Sequence, residues 1–232
     1  MRRTENSSVT VIVPTLNEEK NIAEVIGELK HIGFSDILIV DGNSTDRTVA
    51  IAKKFGVDVI DQNGKGKGNA LRQAFNYDGL NGDVVVMMDA DGSMSPKEIP
   101  KFFDALVSDV DMVKGSRFLP SGYSEDMNLI RRIGNRFLLA LVNWLWSTRY
   151  TDLCYGFAAF RRDILKKLCP HLKSTYFEIE TEIFIKARKL GLKVAEVPSI
   201  EYRRKHGKSN LSTFTDGFRI LKTIIEELVR EP

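Results

Sequence analysis

Along the first half of the chain, short apolar runs rich in β-branched residues alternate with segments whose apolar residues recur every three or four positions. Residues 9–13 (VTVIV) stop at Pro14 and predict a buried strand. Residues 18–31 set Ile22, Val25, Ile26 and Leu29 on one face, with acids at the start, which predicts a helix. The alternation continues with strands predicted at 37–40, 57–60, 84–88 and 111–114 and helices at 45–55, 69–77 and 96–106. Short connectors between such units predict an α/β fold of three layers, a mostly parallel central sheet with helices on both faces. The second half, 118–232, is less regular. It predicts helices at 133–147, 177–190 and 214–229, a strand ending at Pro198, and a basic loop at 202–210.

In a sheet of this kind ligands collect at the carboxyl ends of the strands. The polar stops at 15–18, 41–46 and 89–93 therefore mark where a site is expected. Composition narrows the classes that could use it. The chain has 232 residues, 43% hydrophobic and 28% charged, which suits one globular domain. A net charge of +3 is too mild for a nucleic-acid binder. Basic residues cluster at Arg131-Arg132, at Arg161-Arg162 and over 202–208, where they suit phosphates or an anionic lipid surface, or simply a solvated face. The two cysteines, Cys154 and Cys169, form neither a disulfide framework nor a zinc pattern, and imply a reducing, cytoplasmic setting. The residues before the first strand lack the apolar core expected of a secretory leader, and no apolar run reaches the roughly 18–20 residues that span a bilayer.

The sharpest candidate chemistry follows the strand VVVMM. Asp89 and Asp91 are two residues apart, and their carboxylates converge only if the backbone turns, which Gly92 permits. Hard cations such as Mg2+ and Mn2+ take one or two carboxylates plus substrate phosphates, so Asp89 and Asp91 are candidate metal ligands; a solvated acidic turn is the bland alternative. Asp41 ends another strand at the same edge. It could accept hydrogen bonds from a nucleobase or ribose, or it could cap a helix, a task open also to Ser44, Thr45 or Asp46. Glu18, in PTLNE, has a capping box as its structural alternative. Lys67 lies in GKGKGNA, where backbone N–H groups and a lysine could meet phosphate. The segment is not a Walker loop, and no GxGxxG follows the first strand.

The ordered set VIVPTLNE, VDGNSTDRT, GKGNALRQAF, VVMMDADGS and KGSRF resembles family 2 glycosyltransferases of the GT-A (Rossmann-like) fold, and most of all the dolichol- or polyprenyl-phosphate mannose and glucose synthases. The resemblance covers about residues 9–211. It implies one GT-A domain over 1–232, with a nucleotide-sugar half at 9–117 and an acceptor half with amphipathic helices at 118–232. It implies that Pro14, Thr15, Leu16 and Glu18, then Val40 and Asp41, then Lys67 and Asp89, Ala90 and Asp91 contact the nucleotide-sugar, with Mg2+ or Mn2+ as cofactor. Arg117, in KGSRF, matches an arginine near the sugar or phosphates. Arg131 matches a residue at the acceptor phosphate, with Arg132 and Asn135 beside it. The loop YRRKHGKSN matches a basic loop that closes over the donor, bringing Arg203, Arg204, His206, Lys208 and Ser209. Ser93 stands where such synthases often carry Gln, and Cys154-Tyr155-Gly156-Phe157 stands where they tend to show Ser-Gly-Phe.

Cleaving a sugar–diphosphate bond leaves added negative charge, which a metal and Arg/Lys contacts stabilise. The resemblance implies inversion, and the first acceptor class it implies is a lipid phosphate, which is already anionic and needs no general base. A soluble or glycolipid hydroxyl would need one, and Asp152 is then the candidate, with a loop or capping role as its alternative. The stretch 133–150 combines FLLALVNWLW with Arg136 and Arg149, downstream of Arg131 and Arg132; it predicts either a core helix or a helix lying on the cytoplasmic membrane surface. A sugar-nucleotidyltransferase would want a glycine-rich loop after the first strand, which PTLNE is not. A non-catalytic, membrane-associated binding protein is the reading from another class.

Overall fold

The computed structural model describes residues 8–207 and 210–231. The chain forms β1 (Val9–Thr15), α1 (Ile22–His31), β2 (Ile37–Asp41), α2 (Thr48–Lys54), β3 (Asp58–Asp61), α3 (Lys67–Phe75), β4 (Val84–Met87), α4 (Ile99–Ala105) and β5 (Met112–Ser116). There follow β6 (Tyr123–Ser124), α5 (Leu129–Trp146), β7 (Ala158–Arg161), α6 (Arg162–Leu168), α7 (Ile179–Lys189), β8 (Val194–Pro198), β9 (Ile200–Glu201) and α8 (Thr213–Val229).

The main sheet runs in the order β3-β2-β1-β4-β7-β5-β8, and β6 and β9 form a small second sheet. All pairings in the main sheet are parallel except those of β7 with β4 and with β5. Alternate residues of β1 feed two cores, as in any strand covered on both faces. Val11 and Val13 face the cluster with Ile22, Ile26 and Phe102, while Ile12 faces Leu71, Phe75 and Phe184. A third cluster (Leu138, Val142, Ile185, Ile220 and Ile224) joins α5, α7 and α8. The three-layer α/β reading therefore holds.

Helix α6 and the short strands β6 and β9 were not expected, and two further departures bear on the site. Strand β7 was not anticipated, because its sequence, AAFR, carries no β-branched residue and is too short for a clear period. It fits because Ala158, Ala159 and Phe160 are all fully buried between β4 and β5. Helix α1 begins at Ile22, four residues later than the acids suggested, with Asn21 as N-cap. Glu18 is thereby left outside the helix, with its backbone N–H bonded to Thr48 Oγ1 at 2.8 Å.

The sheet order creates the site. From β1 the chain moves outward through β2 and β3, then returns to the other flank of β1 as β4. That reversal leaves a crevice past the carboxyl ends of β1 and β4, where residues 15–18 and 89–93 lie.

Candidate active site

A cleft of about 900 Å³ opens along this edge of the sheet and continues between α5 and α8. Its polar end is built from strand ends. Thr15 and Leu16 follow β1, Gly42 and Asn43 follow β2, Gln62 follows β3, and Asp89 to Asp91 follow β4. The turn after PTL is closed by Asn17, which takes a left-handed φ of 56° and ties the loops together. Its Oδ1 accepts the Thr45 N–H, and its own N–H donates to Ser44 Oγ. Gly92 provides the turn after Asp91 at φ 77°, as its position suggested.

Each of the two aspartates faces a cation of the protein. Lys67 Nζ lies 2.5 Å from Asp89 Oδ1 and 2.7 Å from Glu180 Oε1. Burial alone would lower the Lys67 pKa, but Asp89 and Glu180 hold it well above its ordinary value, so it stays charged. Arg204 bridges Glu18 Oε1 at 2.8 Å and Asp91 Oδ2 at 3.0 Å. The remaining Asp91 oxygen, Oδ1, accepts the backbone N–H of Ser93. Burial raises the pKa of Glu180, an effect that Lys67 partly offsets.

The donor chemistry suits Mg2+ or Mn2+. Asp89 and Asp91 are oxygen ligands, their side chains are 30% and 16% exposed, and both line the cleft. A hard cation can hold two such carboxylates and fill its remaining positions with phosphate and water. Among the described residues no group of three or more His, Cys, Asp or Glu could hold a metal, so the aspartates bring no third protein ligand of that kind.

Deeper in the wall, Arg117 grips Asp152. Nε donates to Oδ2 at 2.7 Å and Nη2 to Oδ1 at 2.9 Å. Nη1 donates to both oxygens of Glu201, and Nη2 also to the Cys154 carbonyl. Asn135 Nδ2 adds a bond to Asp152 Oδ1 at 3.1 Å. Asp152 is fully buried and does not line the cleft. Burial would push its carboxyl up, but the Arg117 guanidinium outweighs that and holds it below the usual carboxylate range. The expectation that it serves as a base therefore meets a carboxylate that is sealed from any reacting hydroxyl and poorly basic. The Cys154 thiol is pushed up to about 12, chiefly by burial, which disfavours the thiolate form.

The other expected residues divide. Pro14, Thr15, Leu16, Glu18, Lys67, Asp89, Ala90, Asp91, Arg117, Arg131, Asn135 and Arg204 all line the cleft. Arg131 contacts Asp126 at 3.5 Å and Thr213 Oγ1 at 3.3 Å. Val40 is wholly buried in the core. Asp41 is 2% exposed and fixes its own loop, accepting from Ser44 N–H and Thr15 Oγ1. Start-of-helix bonding falls to Asp46, which accepts the Thr48 N–H. Arg132, Arg203 and His206 are exposed and stand outside the cleft lining; Arg203 bonds Glu125, and the His206 carbonyl accepts from Asn21. Lys208 and Ser209 lie outside the described residues.

Gln62, Tyr176, Phe177, Glu180, Glu201 and Arg219 also line the cleft and were not anticipated. Gln62 was findable, since it follows β3 as Asp89 follows β4. Glu180 was not, because a glutamate in the helical stretch EIETEIF has the pattern of any solvated helix face.

Residues 10–169 match the sequence profile of Glycosyl transferase family 2. The dolichyl-phosphate hexose transferase of Haloferax volcanii is 33% identical over 227 residues, covering 96% of this chain and 95% of that protein. The polyprenol monophosphomannose synthase of Mycolicibacterium smegmatis is 30% identical over 212 residues, covering 87% and 80%. Among solved structures, the glucosyl-3-phosphoglycerate synthase of Mycobacterium tuberculosis, in complex with Mn2+, UDP and phosphoglyceric acid, superposes with a TM-score of 0.77. It covers 98% of this chain and 80% of that one at 22% identity, so that likeness speaks for the fold. Strand-end motifs, cleft and relatives agree: the chain is a glycosyltransferase that belongs to family 2 and has the GT-A fold.

Proposed function

We propose that the protein moves a hexose from a nucleotide-sugar, with GDP-mannose the first candidate and UDP-glucose the second, onto a polyprenyl or dolichyl phosphate, inverting the anomeric carbon. The observation that carries this reading is the double character of one cleft. Its sheet-edge end is lined by Glu18, Lys67, Asp89, Asp91 and Arg204, and its other end by Ile130, Leu138, Phe214 and Ile220 from α5 and α8, with Arg131 alongside. An amphiphile with an anionic head fits that sequence of surfaces. The activities named for the two relatives described above point the same way.

A phosphate acceptor brings its own negative oxygen and needs no proton removed. That agrees with the sealing of Asp152, and it is why the lipid-phosphate reading is preferred over a hydroxyl acceptor. Asp152 is assigned the orienting of Arg117. With all three of its nitrogens engaged, Arg117 is held rigidly in the cleft wall, its charge compensated by Asp152 and Glu201. Arg131 is assigned to the acceptor phosphate. Bound at Asp89 and Asp91, Mg2+ or Mn2+ would neutralise charge on the departing nucleoside diphosphate. Lys67 and Arg204 are assigned to the diphosphate oxygens, Arg204 by turning from Glu18 and Asp91 toward them.

The acceptor implies a lipid surface. Leu129, Ile133, Phe137 and Trp144 of α5 and Phe214, Phe218 and Val229 of α8 are exposed, Trp144 at 77% and Phe214 at 80%. Such apolar surface is assigned to peripheral contact with a bilayer. No helix among the described residues is long and apolar enough to cross a membrane.

The test is a thermal-shift panel of GDP and UDP with and without Mn2+, followed by transfer from GDP-mannose and UDP-glucose to a short-chain polyprenyl phosphate. Stabilisation by neither nucleotide, or transfer only to hydroxyl acceptors, would sink the proposal.

A further inference from the structure

We propose that Glu180 reads the hydroxyl groups of the donor hexose and so sets which sugar is transferred. This rests on the nucleotide-sugar reading above and deepens it.

Glu180 sits in the first turn of α7, only 6% exposed, and lines the cleft beside Tyr176 and Phe177. Its Oε1 accepts from Lys67 Nζ at 2.7 Å. No hydrogen bond among the described residues engages Oε2, and that oxygen is not among the sealed, unpartnered atoms of the interior. It therefore presents an acceptor to the cleft.

The backbone around the pair is kept bare for it. A Cβ on Gly156 would lie 2.6 Å from both Glu180 Oε1 and Lys67 Nζ. Cβ atoms on Gly66 and Gly68 would strike the carbonyl oxygens of Thr175 and Ser174. The start of α3 and the approach to α7 thus interlock, which fixes Glu180 relative to Lys67, and through it to Asp89 at 2.5 Å.

Charge decides what this carboxylate can hold. Lys67 sits on Oε1 and, among the described residues, no cation sits on Oε2, so Oε2 would repel a diphosphate and is not assigned to the phosphates. An acceptor-only group suits a donor of hydrogen bonds, and in a nucleotide-sugar the groups rich in such donors next to the diphosphate are the hexose hydroxyls. The protein places it one lysine away from Asp89, the carboxylate assigned to the diphosphate end. A site built to bond a substrate hydroxyl discriminates strongly, because a sugar with that hydroxyl missing or turned away leaves the buried acceptor unpaired.

The experiment compares the full-length wild type with Glu180→Ala and Glu180→Gln. Calorimetry gives the Kd of GDP and UDP with Mn2+. Transfer kinetics use GDP-mannose, GDP-glucose, UDP-glucose and UDP-galactose with a polyprenyl phosphate. Glu180→Gln keeps an oxygen for Lys67, which guards against a variant that fails to fold. The expected result is a nucleotide Kd changed less than about threefold, a fall of about 100-fold or more in kcat/KM for the preferred sugar, and discrimination between epimers flattened to below about tenfold. Retained epimer preference overturns the inference. So does a loss of nucleotide affinity as large as the loss of transfer, since Glu180 would then act only through Lys67 on the diphosphate. A wild type that binds neither nucleotide overturns the underlying nucleotide-sugar reading instead.

Discussion

Arg117 and Asp152 meet as a two-pronged pair, with Nε to Oδ2 at 2.7 Å and Nη2 to Oδ1 at 2.9 Å. The arginine is 8% exposed and the aspartate not at all. Removing one partner of a buried pair leaves the other charge uncompensated, at a cost on the order of 3 kcal/mol. For a chain of this size that is about 6–12 °C in Tm. Asp152→Asn is expected to show such a drop in calorimetry.

The same pair sets an acid limb. The folded-state pKa of Asp152 is depressed, so its stabilisation is complete above the ordinary carboxylate pKa and is lost as pH falls through that value toward the folded one. Wild-type Tm should therefore fall more steeply below about pH 4 than that of Asp152→Asn. Equal slopes would show that the pair is not the titrating element.

Asp91 and Arg204 make the next prediction. At a GDP and Mn2+ concentration 100 times the Kd, ligand linkage gives about 2.7 kcal/mol, or about 5–10 °C in Tm. Asp91→Asn should lose the Mn2+-dependent part of that shift, and a chelator should remove it from the wild type. A full shift in the variant would place the metal elsewhere.

Arg204→Ala should weaken nucleoside diphosphate binding by about 10- to 100-fold, the worth of charge-assisted hydrogen bonds to phosphate. Isothermal calorimetry reads this directly. Unchanged affinity would confine Arg204 to its contacts with Glu18 and Asp91.

Phe214 and Phe218 are 80% and 69% exposed on α8. Phe214→Ser with Phe218→Ser should lower binding to anionic vesicles by at least about tenfold, since burying each ring contributes about 1.5–3 kcal/mol. Tm should change little, because exposed side chains away from special contacts contribute within about 0.5 kcal/mol to folding. Co-sedimentation separates these outcomes, and vesicle binding equal to wild type would remove α8 from the membrane surface.

Much of this protein was legible from local pattern. The β-branched runs at β1, β2 and β4 and the polar stops after them follow from backbone preference and burial over a few residues. They were enough to predict the α/β class and to place Glu18, Asp89 and Asp91 at one edge. Only the tertiary structure decided the partners. Lys67 and Glu180 are 113 residues apart, and Arg204 and Glu18 are 186 apart, so neither pairing leaves a local periodicity. The insertion of β7 depends on space between β4 and β5, not on strand propensity. Asp152 shows the limit most clearly. Its sequence context, TDLCYGF, allows a catalytic base or a structural anchor equally. Arg117, brought to it from the end of β5, makes it an anchor, because a buried carboxylate is held by whatever charge the fold sets beside it.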